Sequence, residues 1–263
     1  MEAKKEPEQM LTEVLKWLDE GGFALEMHTT SAFRTAGFEV RQSMVYATDD
    51  GKPREIDVVA ADPEPLGILG IEYVVECKST KKPWVLLASP DTLASFNRVT
   101  AFAGMSKETG GAVIDRIRET GLLPSIMEKE GLVGYSLREA FSKSDSADIP
   151  YAAARAVAAA CNQFIRRNTP PRNTYYFGFP VIVIAGPLIQ ASLSEKGEIE
   201  LVEVDHGEFL FSDLDFATCI RVVTARHLAV FAKEAMQVAK QIRDLLKPET
   251  EKILEFWKNR KRT

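Results

Sequence analysis

Two short apolar runs between residues 54 and 82 constrain the fold more than any other part of the sequence. The runs read R-E-I-D-V-V-A (54–60) and I-E-Y-V-V-E-C (71–77), and the loop between them contains Asp, Pro and Gly. β-Branched and aromatic residues favour strands, whereas Asp, Pro and Gly favour turns. The segment therefore predicts two β-strands joined by a polar loop.

The charged residues Asp57, Glu76 and Lys78 lie within or directly after these strands. A charge in a buried strand is costly unless it is paired or bound to a metal ion. Because side chains alternate along a strand, Glu76 and Lys78 are expected on the same face, and Asp57 lies across from Glu76 if the strands are neighbours. The pattern predicts two carboxylates and one ammonium at one point. A structural ion pair at a strand end is the simpler alternative.

An acidic residue on one strand, followed by Glu-x-Lys on the next, resembles the signature of the PD-(D/E)xK nuclease superfamily. The motif stands here as Ile56-Asp57 and Glu76-Cys77-Lys78. The residue before Asp57 is Ile rather than Pro, at a position that varies in the superfamily. The resemblance covers about residues 20 to 80, and beyond them it extends only to the order of elements.

The resemblance implies a metal-dependent hydrolase that cuts phosphodiester bonds with a metal-activated water. Asp57 and Glu76 would hold Mg²⁺ or Mn²⁺, because hard cations prefer carboxylate oxygens, and the backbone carbonyl of Cys77 would be a further ligand. Lys78 would orient or help to deprotonate the water, or neutralise the phosphate. Many members carry a Glu on the first core helix that completes the site, and Glu26 matches that context. Alternatively, Glu26 is a first-turn acid stabilised by the helix dipole.

The charge balance bears on the nucleic-acid partner. The chain of 263 residues has a net charge of −5, which is not the basic footprint of a protein that coats DNA non-specifically. Contact with nucleic acid, with DNA as the expected substrate, should therefore be local. Lys81 and Lys82 follow the predicted catalytic strand directly and are the proposed phosphate contacts.

The order of predicted elements indicates an α/β fold with a mixed central sheet flanked by helices. The resemblance implies that this fold has a restriction-endonuclease-like core, made of a helix, three antiparallel strands, a crossover helix and a further strand. Residues 83–149 read as an inserted, largely helical region, with short helices at 113–119 and 136–141. No linker divides the chain, so we expect one domain over residues 1–263. The remaining elements are helices at 9–20, 23–36, 151–168, 228–246 and 253–260, with Pro248 separating the last two, and strands at 38–46, 179–185, 188–193, 199–204, 208–211 and 218–224.

The composition predicts a cytoplasmic protein with no membrane association. No apolar run approaches the roughly 18 residues that a membrane span needs, and the N-terminus shows no apolar signal region. The three cysteines form no closely spaced pair, which favours a reducing compartment. A homodimer is left open. The rival to the enzyme hypothesis is a catalytically inactive module of the same fold that binds nucleic acid or protein within a bacterial defence or repair assembly.

Overall fold

The computed structural model describes residues 7–47, 51–128, 131–142, 148–168, 174–213 and 216–260. Within these ranges the helices are α1 (Pro7–Glu20), α2 (Phe23–Ala36), α3 (Arg98–Phe102), α4 (Lys107–Thr120), α5 (Ile149–Asn168) and α6 (Leu228–Arg260). The strands are β1 (Glu39–Ala47), β2 (Pro53–Ala61), β3 (Leu69–Lys78), β4 (Trp84–Ser89), β5 (Gly104–Met105), β6 (Val133–Glu139), β7 (Tyr175–Ile184), β8 (Leu188–Leu193), β9 (Ile199–Val204), β10 (His206–Asp213) and β11 (Phe216–Thr224).

All these strands belong to one mixed sheet. Its order is β1-β2-β3-β7-β11-β10-β6-β4-β8-β9, and β5 pairs with β7 outside this path. Strands β1, β2 and β3 are antiparallel neighbours, whereas β7 runs parallel to β3. A parallel neighbour requires a crossover connection, and α5 lies in it. The prediction of an α/β fold with a mixed sheet flanked by helices is confirmed.

The two faces of the sheet carry separate apolar cores. On one face, Phe33 of α2 and Phe231 of α6 pack against Tyr73 and Phe179. On the other face, the alanine-rich α5 packs against residues such as Val74 of β3. Alanine favours helix formation and its small side chain lets α5 approach the sheet closely. Strand β3 is therefore buried on both sides, which makes the polar residues along it informative.

A proline in the central strand β7 has a local explanation. Proline cannot donate to a strand ladder and is rare in central strands. On the side of β7 away from β3, β5 pairs with Phe177 and Gly178, and β11 begins its pairing at Val181. Pro180 lies between those two partners, so its missing N–H interrupts neither ladder.

The parallel pair β3–β7 continues beyond a short break as the parallel pair β4–β8. The connecting segments 79–83 and 185–187 contact each other: Ala185 N donates to Lys78 O at 3.0 Å, and Trp84 N donates to Pro187 O at 2.9 Å. A Cβ at Gly186 would lie 2.7 Å from the carbonyl oxygen of Lys82, so only glycine fits there. This contact fixes the chain directly after β3.

Three predictions about the chain after β3 need correction. Residues 83–149 are not largely helical, because β4 and β6 within them join the sheet. The helix predicted at 136–141 is wrong, since most of it is β6, paired antiparallel with β4. Pro248 does not end α6, which continues through it to Arg260. The helix predicted at 113–119 lies within α4.

The Asp-Gly pair at residues 50–51 predicts a turn between β1 and β2. Residues 48–50 lie outside the described residues. Within the described ranges, no helix combines the length and the apolar character that crossing a bilayer would require.

Candidate active site

Helix α2 brings its first turn to the end of β3. The helix follows Gly22, whose φ of 85° is a left-handed conformation that suits glycine. A Cβ at Gly22 would lie 3.2 Å from Ser79 Oγ, the residue directly after β3. Glu26, in the first turn of α2, is therefore close to the β3 end, as the resemblance implied.

Asp57 lies where β2 and β3 stop pairing. The last paired residues of the two strands are Val58 and Val75. Beyond them the backbone N–H of Cys77 donates to Asp57 Oδ2 at 2.6 Å, so a side-chain oxygen takes the place of a backbone acceptor. The Asp57 carboxylate therefore lies between the two strand ends, and continuing the register places it across from Glu76 as predicted.

Glu76 and Lys78 share one face of β3. Lys78 Nζ lies 2.5 Å from Glu76 Oε1, and Glu76 is only 8% exposed. Val75 and Cys77, which alternate with them, pack against the core beneath α2. Glu76 and Lys78 therefore extend toward the α5 face, whereas Glu26 approaches from the α2 face and Asp57 lies between.

Burial and neighbouring acids raise the pKa of all three carboxyl groups. Burial, followed by the negative charges of Asp57, Glu55 and Glu76, raises the pKa of Glu26 to about 7. Burial also raises the pKa of Asp57. The Cys77 N–H and Lys78 lower this pKa, because they stabilise the carboxylate anion. Burial and Asp57 raise the pKa of Glu76, and Lys78 opposes them. This cluster carries more negative charge than Lys78 alone compensates, and a bound cation would relieve the repulsion.

The carboxylates are of the ligand type that a hard cation prefers, but their present positions do not form a complete metal site. Asp57, Glu76 and Glu26 offer the oxygen ligands that Mg²⁺ prefers. Among the described residues, however, no three potential ligands are already gathered as a metal-binding group. Lys78 Nζ contacts Oε1 of Glu76, and the carboxylate keeps further lone pairs that could hold a metal ion.

Cys77 has two groups that could bind a metal ion, its backbone carbonyl and its thiol. The resemblance implies the carbonyl. The Cys77 thiol faces α2, with Sγ 3.5 Å from Thr29 Oγ1. Burial raises the pKa of this thiol far above its ordinary value, so it stays protonated. A protonated thiol is a poor metal ligand.

The two proposed phosphate contacts differ in the structure. Lys82 Nζ lies 2.7 Å from Glu139 Oε1 at the end of β6, so its charge is already compensated. Thr80 Oγ1 donates to the other oxygen of Glu139 at 3.3 Å. Lys81 is exposed, and no ion pair of Lys81 is found within the described ranges. Lys81 is the better placed of the two to meet a phosphate.

Two features of the site escaped the sequence analysis. Glu55 raises the pKa of both Glu26 and Asp57, and its place two residues before Asp57 could have indicated this. Ser43 has a φ of 51°, in the left-handed region, and lies opposite Asp57 between two paired positions of β1 and β2. Such outliers persist only where surrounding structure enforces them, and no sequence signal predicts this one.

No protein-family model, no curated protein and no solved structure matches this chain. The functional argument therefore depends on the residues and contacts described above.

Proposed function

We propose that this protein is a metal-dependent phosphodiesterase that acts on nucleic acid, with DNA as the expected substrate. The observation that carries the proposal is the convergence of Glu26, Asp57, Glu76 and Lys78 at the end of β3, from two strands and one helix. Three buried or half-buried carboxyl groups beside one lysine are costly to maintain without a role.

The element order supports the same proposal. The chain runs from α2 through the antiparallel strands β1, β2 and β3 to α5 and then to β7, which is parallel to β3. A helix, three antiparallel strands, a crossover helix and a further strand make up the core that the resemblance implied. The candidate residues lie on α2, β2 and β3, the elements that would carry them in such a core.

Each residue has a distinct proposed role. Asp57 and Glu76, with the carbonyl of Cys77, would hold Mg²⁺ or Mn²⁺, and Glu26 would complete the site from α2. The cation, when bound, supplies an activated water and stabilises charge on the phosphate. Lys78, beside Glu76, would face the water or the phosphate oxygens with the donors of its ammonium group that Glu76 does not use. Placing this ammonium where charge develops favours the transition state over the ground state.

A cleavage panel tests the proposal. Linear, circular, single-stranded and branched DNA and an RNA are incubated with the protein and Mg²⁺ or Mn²⁺, and Mn²⁺ binding is measured by calorimetric titration. We expect cleavage that depends on the cation, and loss of both cleavage and Mn²⁺ binding in Asp57→Asn, because an amide is a poorer ligand for a hard cation. If the wild-type protein neither binds Mn²⁺ nor cuts any substrate of the panel, the enzyme proposal is wrong.

One observation favours the non-catalytic alternative. The Glu76–Lys78 and Lys82–Glu139 pairs are both formed, so part of the site already has internal charge partners. A binding module of the same fold would bind nucleic acid in the panel without cutting it, and Asp57→Asn would leave that binding unchanged. The two proposals therefore predict different results in one experiment.

A further inference from the structure

A cavity of about 370 Å³ lies on the face of β3 opposite Glu76. The rings of Tyr73, Phe102 and Phe231 line it, and all three residues are buried. Its volume is within the range of small-molecule sites, and such sites combine mainly apolar walls with a few placed polar groups. The cavity uses none of the candidate catalytic residues.

A half-buried ion pair contributes to the polar part of the cavity lining. Arg221 is 9% exposed, and its guanidinium lies 4.8 Å from the ring centre of Phe179. Its Nη2 donates to Phe102 O at 2.9 Å, and its Nε lies 3.3 Å from Glu208 Oε1. The positive charge of Arg221 is thus already compensated by Glu208 and held in place by the backbone.

Among the described residues of the lining, carboxylates outnumber guanidinium groups. Glu208, together with the exposed residues Glu128 and Glu234, contributes three carboxylates, and Arg221 contributes one guanidinium. A phosphate or carboxylate ligand would meet these acids and find Arg221 occupied. A cation would be attracted by the acids. The aromatic residues of the lining would favour a cation wherever it reached a ring face, since ring quadrupoles attract cations.

We propose that this cavity binds a small, largely apolar amine in its protonated form. The apolar body would lie among the rings of Tyr73, Phe102 and Phe231, and the ammonium would be directed to Glu208. A carboxylate has about four lone-pair sites, so Glu208 can accept from an ammonium while it contacts Arg221. The proposal does not depend on the phosphodiesterase activity.

Two probes of the same shape and opposite charge test it. Tryptamine and indole-3-propionate share the indole ring and a two-carbon linker, and they end in an ammonium and a carboxylate. Binding to the full chain is measured by calorimetry and by saturation-transfer NMR. We expect tryptamine to bind at least about ten-fold more tightly, because a charge-assisted hydrogen bond and its repulsive counterpart differ by that much or more.

Three variants locate the binding. Val238→Trp would place a large ring in the cavity from α6, and it should abolish tryptamine binding. Glu208→Gln should weaken tryptamine about ten- to hundred-fold and reduce the preference over indole-3-propionate. Glu200→Gln removes an exposed acid on β9, outside the cavity, and is the matched control that should leave binding unchanged.

Several results would overturn the proposal. These are no tryptamine binding at millimolar concentration, equal binding of both probes, or equal effects of Glu208→Gln and Glu200→Gln. Unaltered tryptamine binding in Val238→Trp would also overturn it, because the probe would then bind outside this cavity. Thermal unfolding of each variant identifies loss of fold. Should Glu208→Gln fail to fold because Arg221 is left unpaired, the folded Val238→Trp variant decides the question.

Discussion

Glu72 and Glu76 lie four residues apart on the same face of β3, and each is only 8% exposed. Their surroundings differ. Arg41 Nη2 lies 2.7 Å from Glu72 Oε1, and the hydroxyl of Tyr176 donates to the other oxygen. Glu76 has Lys78 as its ion-pair partner and Asp57 as a neighbouring acid.

The comparison shows that burial by itself does not distinguish a functional acid from a structural one. Glu72 has a partner for each oxygen. One partner is the Tyr176 hydroxyl, and burial together with the charge of Glu72 raises the pKa of Tyr176 well above its ordinary value. Burial, and after it the negative charge of the neighbouring Asp57, raises the pKa of Glu76. The first arrangement stabilises the fold, and the second is typical of a site that accepts a cation.

The largest expected difference between the two acids is in catalysis. Glu76→Gln should reduce cleavage by about three orders of magnitude or more and abolish Mn²⁺ binding, because it removes a proposed metal ligand. Glu72→Gln should retain both cleavage and Mn²⁺ binding, provided that the variant folds. Cleavage assays and calorimetric titration of the two variants check this. Equal losses in two folded variants would remove the distinction between the acids.

Lys78→Ala should lower the cleavage rate by about 10²–10³-fold while Mn²⁺ binding persists, because the ammonium acts on charge that develops in the transition state. The comparison is with Asp57→Asn, which should lose both properties. Single-turnover cleavage and Mn²⁺ titration separate the two effects. A Lys78→Ala variant that cuts at the wild-type rate would show that the role assigned to this lysine is wrong.

For folding stability, unlike catalysis, Glu72 should matter more than Glu76. Glu72→Ala should lower the free energy of unfolding by about 3 kcal/mol, because it leaves the buried Tyr176 hydroxyl without its acceptor and Arg41 without its carboxylate. Glu76→Gln should cost much less, since it also removes repulsion with Asp57. Urea unfolding at pH 7 with a chelator present measures both. A larger loss for Glu76→Gln would contradict the comparison.

Glu26 should make the stability of the cation-free protein depend on pH. Its pKa rises from 4.5 to about 7 on folding, so the folded state binds the proton more tightly than the unfolded state. Its contribution is therefore complete below about pH 4.5 and is lost as pH rises to about 7. Because Glu26 is half-buried, solvent screening limits the effect to about 1 kcal/mol.

Urea unfolding between pH 4.5 and 7.5, with a chelator present, tests this for the wild-type protein and Glu26→Gln. The variant should show a flatter profile across that interval. Glu20→Gln, which removes an exposed acid from the end of α1, is the matched control and should keep the wild-type slope. An unchanged slope in Glu26→Gln would place Glu26 outside the charged cluster.

The smallest effect concerns the two lysines after β3. Lys81→Ala should make the salt dependence of DNA binding shallower by about 0.9 in the log–log slope, the value for one lost phosphate contact. Lys82→Ala should change the slope less, because Glu139 already compensates its charge. Binding titrations at several salt concentrations measure this. A larger change for Lys82→Ala would show that its ion pair opens on DNA.

Local pattern was sufficient for much of the fold. Helix α2 was predicted with the observed bounds, because two glycines flank a run of helix-compatible residues. The strands β8 and β9 also match their predicted ranges, since a polar turn separates two apolar runs. In such segments, neighbouring residues determine the backbone conformation.

Two errors show where local pattern failed. Residues 133–139 contain Leu, Arg and Glu, which favour helix, yet pairing with β4 makes them a strand, because tertiary contacts override propensity. Pro248 removes an intrahelical N–H, yet α6 continues. Arg116 Nε donates to Leu245 O at 3.3 Å, a carbonyl in the turn that Pro248 disturbs.

The sequence by itself determined that an acid and a Glu-x-Lys motif lie on two successive strands, with Glu76 and Lys78 on one face, because alternation is a property of the strand backbone. Only the tertiary structure decided which acids have partners. Glu72 is held by Arg41 and Tyr176, 31 and 104 residues away in the chain, and Lys82 by Glu139, 57 residues away. Such contacts depend on how the strands are ordered in the sheet, and no local pattern encodes that order.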